Sequence, residues 1–399
     1  MNFWKDPINV AADWLKNVFT GWGLTDPYAT ALVYLLGAFT MVALVMLLDV
    51  FLVWIERKVV ARFQDRVGPN RVGPFGLIQP FADIIKLLIK EDITPAGADK
   101  VVYNLAPVLS LASVLLLWAI LPLSALVYGV DLNVAVLYLV AAGALGTLAV
   151  IMAGWSSNNK YALLGAFRTV AQMISFEIPM VVALLIPTIL SGSMSLKTVV
   201  ERQDIWYVIL APLGFIIFLI SAIAELGRAP FDLNEAESEI VAGFHIEYSG
   251  MKFGLFYAGE LLHAFTFGGF MAVLFFGGYR FFGLEQIHPL VAVFILMIKA
   301  LLGYWVIMWI KYTVPRIRID HMLAFNWKFL TPMAFALLVV TAVMHKLLSG
   351  TQPWVYALGM FLSNVVLLLA ALEILRTSAR NQRRQEEAAL SAIAQTSSH

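Results

Sequence analysis

The chain has 399 residues, 61% of them hydrophobic and 13% charged, with a formal net charge of +1 at pH 7. A charged fraction about half that of a globular protein excludes water as its main solvent, and the near-neutral balance offers no basic stripe for nucleic acid. The absence of cysteine excludes disulfides, covalently attached haem and cysteine-ligated iron–sulfur clusters from this chain.

A hydrocarbon core of about 30 Å needs roughly 20 apolar residues per helix. Residues 1–27 come first and are too polar to span. Phe3, Val10, Trp14 and Val18 give them an amphipathic pattern, while Asp6, Pro7 and Asp13 argue against a cleavable signal. Nine apolar runs then follow, at 28–53, 104–127, 132–153, 162–190, 208–226, 254–276, 289–310, 329–344 and 354–375. Within the first connection, Phe81, Ile84, Ile85 and Leu88 recur at helical spacing behind Pro80, which predicts a short helix lying in the interface. The fold class is therefore all-α: a polytopic integral membrane protein of about nine transmembrane helices with a short amphipathic interfacial helix. Its transmembrane domain covers 28–375, its long loops are 54–103, 227–253 and 311–328, and a polar tail covers 376–399.

If the spans alternate, 19 of the 27 Lys and Arg residues fall on the side of those long loops and 6 on the other, with Arg168 and Lys299 inside spans. The positive-inside rule then places the amino terminus outside and the tail in the cytoplasm, and the long loops make the cytoplasmic face the docking side. Reporter fusions at Lys197 and Arg384 are expected on opposite sides of the membrane. The same compartment for both would refute the span count.

An ionisable side chain at mid-bilayer costs at least ~2.5–3.5 kcal/mol on insertion scales, so each needs a reason. The candidates are Asp49, Arg168, Glu177, Glu260 and Lys299, with Glu56, Glu225 and Glu373 near the cytoplasmic ends of their spans. Structural pairing explains any single one. Arg168 and Glu177, nine apart, point in different directions on one helix, whereas Glu225 and Arg228, three apart, can pair. Five spans carrying ionisable groups exceed what packing requires and suit a proton relay.

The loop after the fifth run is the most unusual stretch. Gly227 and Pro230 end the span, Asp232 can cap a following helix and Glu235 completes a capping-box pattern. Helix-dipole stabilisation accounts for those two acids. It does not require Glu237, Glu239 and Glu247 as well.

These stretches closely resemble the family of the H subunit of NADH-quinone oxidoreductase, whose mitochondrial members are called NADH dehydrogenase subunit 1. The resemblance covers nearly the whole chain. Its strongest parts are Glu56-Arg57-Lys58, the run from Gln64-Asp65-Arg66 to Gly73-Pro74, Gly154 to Tyr161 leading to Glu177, the acidic loop with Gly243 to Tyr248, and Pro315-Arg316 with Trp327-Lys328. It implies a complex I subunit of a bacterial-type plasma membrane that walls a chamber for ubiquinone or menaquinone and couples quinone reduction to proton translocation. Quinone would be its substrate, with no covalently bound cofactor; FMN and iron–sulfur clusters would sit in partner subunits only. The partners implied are peripheral-arm quinone-site subunits on the cytoplasmic side, and small and antiporter-like subunits in the membrane. Residue by residue, Glu177, Glu225 and Glu260 match acids at the start of the proton path, and Asp232, Glu235, Glu237, Glu239 and Glu247 match the loop joining chamber to path. Glu56, Arg57, Arg62, Arg66 and Phe231 would belong to the quinone chamber.

Two departures stand out. Lys311 occupies a position where the family motif before Pro315-Arg316 usually has arginine, and the last span, beyond Lys346, is one that many relatives lack. The membrane anchor of a proton-pumping hydrogenase, or of a ferredoxin- or deazaflavin-dependent relative, is the alternative reading. The string Glu235 to Glu239 followed by Gly243 to Gly250 favours the quinone enzyme. A stand-alone transporter would bring inverted repeats, and none is visible.

Overall fold

The computed structural model describes residues 7–233 and 237–396. Its helices, in order, are α1 (Pro7–Gly21), α2 (Asp26–Phe63), α3 (Gln79–Ile89), α4 (Lys100–Trp118), α5 (Ala135–Ser156), α6 (Lys160–Ser191), α7 (Leu196–Glu201), α8 (Tyr207–Leu210), α9 (Pro212–Glu225), α10 (Glu237–Ile240), α11 (Gly250–Phe275), α12 (Pro289–Thr313), α13 (Ile319–Phe325), α14 (Thr331–Leu348) and α15 (Pro353–Thr396). Among the described residues there is no strand, and eight helices are long and apolar enough to cross a membrane. The chain is thus an all-helical, polytopic membrane protein.

The bundle has a centre and an edge. Of the span window of α11, 83% is buried inside the protein, against 6% for α2. The central helix touches α12 most closely through glycine: a Cβ on Gly268 would lie 2.4 Å from the Ala300 carbonyl oxygen. At the edge, α2 runs for 38 residues, about 57 Å at 1.5 Å per residue. That exceeds the hydrocarbon thickness of about 30 Å, so α2 is longer than a span requires, and Arg57, Lys58 and Arg62 gather at its carboxyl end. There α3 lies beside it, tied by an ion pair between Arg57 and Asp83, with Phe81, Ile85 and Leu88 left uncovered by the chain. That apolar face suits an interfacial helix.

The fifth run is not one continuous span. Ala211 adopts φ −137° and ψ 63°, and Pro212 begins a separate 14-residue helix, α9. The break at Ala211 takes the Leu210 carbonyl oxygen out of a continuous helical ladder, and it accepts a hydrogen bond from Asn364 Nδ2 of α15 at 3.2 Å. The final helix therefore packs on the break itself. The eighth run also starts earlier than its hydropathy: α13 joins α14 through a π-helical turn over Asn326–Leu330, which carries Lys328 inside continuous helix.

Lys299 has a structural explanation. Its ammonium donates to the carbonyl oxygens of Phe276, Gly278 and Arg280 at 2.7, 2.8 and 2.7 Å. These groups lie just beyond the carboxyl end of α11, where the helix dipole favours a cation.

Candidate functional site

The site begins with Glu56 on α2, which is 5% exposed. Its carboxylate accepts hydrogen bonds from the Tyr304 and Tyr312 hydroxyls at 2.9 and 2.6 Å and from Lys311 Nζ at 3.2 Å, all from α12. Lys311 therefore reaches the acid as a single point charge, where an arginine fork could have made two parallel bonds. A second cation approaches from the turn after α9, with Arg228 Nη2 3.7 Å from Glu56 Oε2.

Arg228 does not pair with Glu225, although a three-residue spacing on a helix would allow it. The i,i+3 geometry needs a helix that continues, and α9 ends at Glu225. The chain turns instead at Gly227, φ +61°, and Arg228 Nε binds Glu260 Oε1 of α11 at 3.2 Å. Burial alone works against the Arg228 charge, but Glu56 and Glu260 outweigh it and raise its pKa.

Glu225 is left 6% exposed, and among the described residues its Oε2 has no hydrogen-bond partner. It lines a cavity of about 100 Å³ together with Arg228, Asp232, Glu260, His263 and Lys311. A polar space of that size has room for several waters. Glu177 on α6 adds a second negative charge that acts on Glu225. The two acids are brought together by α6 itself, because the fully buried Gln172 donates to the carbonyl oxygens of both Ala224 and Phe231, at 2.6 and 2.8 Å. One amide thus clamps both ends of the turn that carries Arg228.

The loop beyond the turn is fastened at several points. Phe231 is buried against the Phe176 ring, with centroids 5.1 Å apart. Glu239 lies between Arg168 of α6 and Arg316, and the Arg168 hydrogen bond first, then both positive charges, hold its carboxyl below the usual range. Glu247 accepts from Asn159 Nδ2 at 2.6 Å, which turns this acid away from the cavity and onto the start of α6. Tyr248 stacks on Tyr103 at 4.1 Å, and burial pushes its hydroxyl pKa up to about 12. His245 is half-buried, and that desolvation lowers its pKa against the opposing pull of Glu260. Close packing at Gly165 completes the docking, since a Cβ there would lie 2.8 Å from the Gly243 backbone.

Of the sequence candidates, Glu225, Glu260 and Asp232 share the cavity, with Glu177 beside it. Glu56 sits behind it on Arg228 and Lys311. Arg57 is engaged with Asp83, while Arg62 and Arg66 are exposed, Arg66 bonding Gln64. Glu235 and the side chain of Glu237 lie outside the described residues. Sequence reasoning missed the bridging role of Arg228 and the presence of His263, whose ring stacks on Phe267 at 4.8 Å. The second was detectable, because His263 follows Glu260 by three residues and so shares its helical face.

A family model described as NADH dehydrogenase matches residues 36–342. A Dehalococcoides mccartyi (strain CBDB1) protein named as the H subunit of NADH-quinone oxidoreductase is 48% identical over 319 residues, covering 80% of this chain and 88% of its own length. Proteins of the same name from Brevibacillus brevis and Phocaeicola vulgatus are 41% and 40% identical, covering 81% and 85% of this chain and 96% and 99% of theirs.

Proposed function

The chain belongs to the family of NADH-quinone oxidoreductase H subunits and is a membrane subunit of that oxidoreductase, complex I; on this premise we propose that it walls the quinone-access chamber and passes the consequence of quinone reduction into a proton path. A quinone that takes two electrons must also take two protons to become the quinol. The electrons come from a partner, since a chain without cysteine holds no cysteine-ligated cluster. What this chain supplies is groups that hold or release protons. Glu56, Arg57, Arg62, Arg66 and Phe231 shape the chamber, and Glu177, Glu225 and Glu260 begin the path. Asp232, Glu235, Glu237, Glu239 and Glu247 make the loop that joins them.

The observation that carries this reading is Glu225, a buried acid in a polar cavity, its Oε2 without a hydrogen-bond partner among the described residues and a second carboxylate acting on it. Groups that interact so closely titrate as a set, so a proton gained at one alters the affinity of the next. Orientation follows the basic asymmetry: amino terminus outside, carboxyl terminus in the cytoplasm, and peripheral-arm partners on the side of the long loops.

Phe231 separates chamber from path. Phe231→Ala removes its packing on Phe176 and is expected to raise the apparent quinone KM severalfold in the assembled enzyme, while the protons moved per electron stay unchanged. Steady-state kinetics with a soluble quinone, alongside vesicle acidification, measures both. An unchanged KM would remove Phe231 from the chamber.

A further inference from the structure

Arg228 is 2% exposed, and it touches two acids that belong to different parts of the proposed mechanism. We propose that this guanidinium is a shared counter-ion that links the charge of Glu56, on the chamber side, to the charge of Glu260, in the cavity. The inference rests on the relay reading above and adds to it the residue that connects its two halves.

Glu56 comes from α2 and Glu260 from α11, so neither sequence spacing nor a common helix relates them. The guanidinium joins them through different atoms, Nη2 at 3.7 Å from Glu56 and Nε at 3.2 Å from Glu260. Its Nη1 is buried without a hydrogen-bond partner among the described residues, so one donor remains available for an exchange of partners. Glu56 has a second cation in Lys311 at 3.2 Å. The ion-pair partner of Glu260 among the described residues is Arg228, and the Glu260 side chain is 31% exposed.

Two carboxylates competing for one desolvated cation are not independent. When Glu260 loses its charge the guanidinium is left to Glu56, and when the charge near Glu56 changes, the share of Arg228 felt by Glu260 changes with it. Such coupling is reciprocal by linkage. It transmits a change of charge from chamber to cavity without any proton passing between the two acids. The side chain is suited to this because a planar guanidinium presents donors on several edges, whereas an ammonium is a compact point charge. The position suits it too: Arg228 lines the same cavity as Glu225, three residues further along the chain.

The test uses the assembled complex in vesicles, with Arg228→Lys and Glu260→Gln made singly and together. Each single variant is expected to assemble, to keep the quinone KM within about twofold and to lower coupled turnover about tenfold. The double variant should fall no further, because the same link has been cut twice. A fall of about a hundredfold, the product of two independent losses, overturns the proposal, as does wild-type turnover in Arg228→Lys. Should lysine prevent assembly, wild-type coupled turnover in Glu260→Gln alone overturns it. Glu225→Gln in the same vesicles tells the two claims apart. Lost pumping there with multiplying losses at 228 and 260 removes only the shared counter-ion, whereas normal pumping there removes the relay and the function given to Arg228 with it.

Discussion

Glu225→Gln is expected to lower quinone reductase turnover and proton translocation together, each by at least about tenfold, or ~1.4 kcal/mol of activation free energy. Glutamine keeps the size of the side chain and most of its polarity, so the bundle has no steric reason to change. What it removes is the ionisable proton of an acid that is 6% exposed, with one oxygen unpartnered among the described residues and Glu177 acting on it. If turnover is tightly coupled to pumping, an interrupted path stops both. Parallel assays of quinone reduction and vesicle acidification, on enzyme whose assembly has been verified, give the result. Loss of pumping with undiminished turnover would mean that Glu225 lies beyond the coupling step.

The second large effect belongs to Glu56 and concerns stability. Glu56→Gln leaves Lys311 and one side of Arg228 without their carboxylate, in a place where Glu56 is 5% exposed. Removing one partner of a buried ionic group costs about 3–5 kcal/mol, because the remaining charges lose their compensation. Tyr304 and Tyr312 donate to different oxygens of Glu56, so the amide oxygen keeps one of these bonds while the NH2 meets the other hydroxyl as a donor, and the larger loss is electrostatic. The expected outcome is a low yield of assembled complex and a clearly lower melting temperature in detergent. A wild-type melting curve would show that the hub contributes little to the fold.

How much of this was legible in the sequence differs from element to element. Helices such as α5 and α12 follow directly from uninterrupted apolar runs. The break between α8 and α9 does not, although Pro212 is plain to see, because Pro179 and Pro187 leave the 32 residues of α6 continuous. The difference lies in the tertiary surroundings: Asn364, far along the chain, supplies the Leu210 carbonyl with a donor that makes an interruption tolerable inside a membrane. The early start of the eighth span was hidden for a related reason, since Asp320, His321 and Lys328 lower the hydropathy of a segment that is nevertheless helical.

At the site, the acids were legible and their partners were not. A carboxylate in a membrane span is conspicuous by its cost, which is enough to select Glu177, Glu225 and Glu260. Which cation serves which acid depends on where a helix stops. The pairing that spacing allowed between Glu225 and Arg228 is lost at one turn of backbone, which sends the guanidinium to Glu56 and Glu260 and leaves Glu225 Oε2 without a hydrogen-bond partner among the described residues. Glu247 shows the same limit, because nothing in its spacing announces the Asn159 amide that holds it.

The most direct test of the central claim is the Glu177→Gln, Glu225→Gln double variant, reconstituted into vesicles with its assembly confirmed by co-purification of the partner subunits. Vesicle acidification driven by quinone reduction should be abolished, with turnover falling alongside it. Normal acidification at normal turnover would contradict the account and return both acids to a purely structural role.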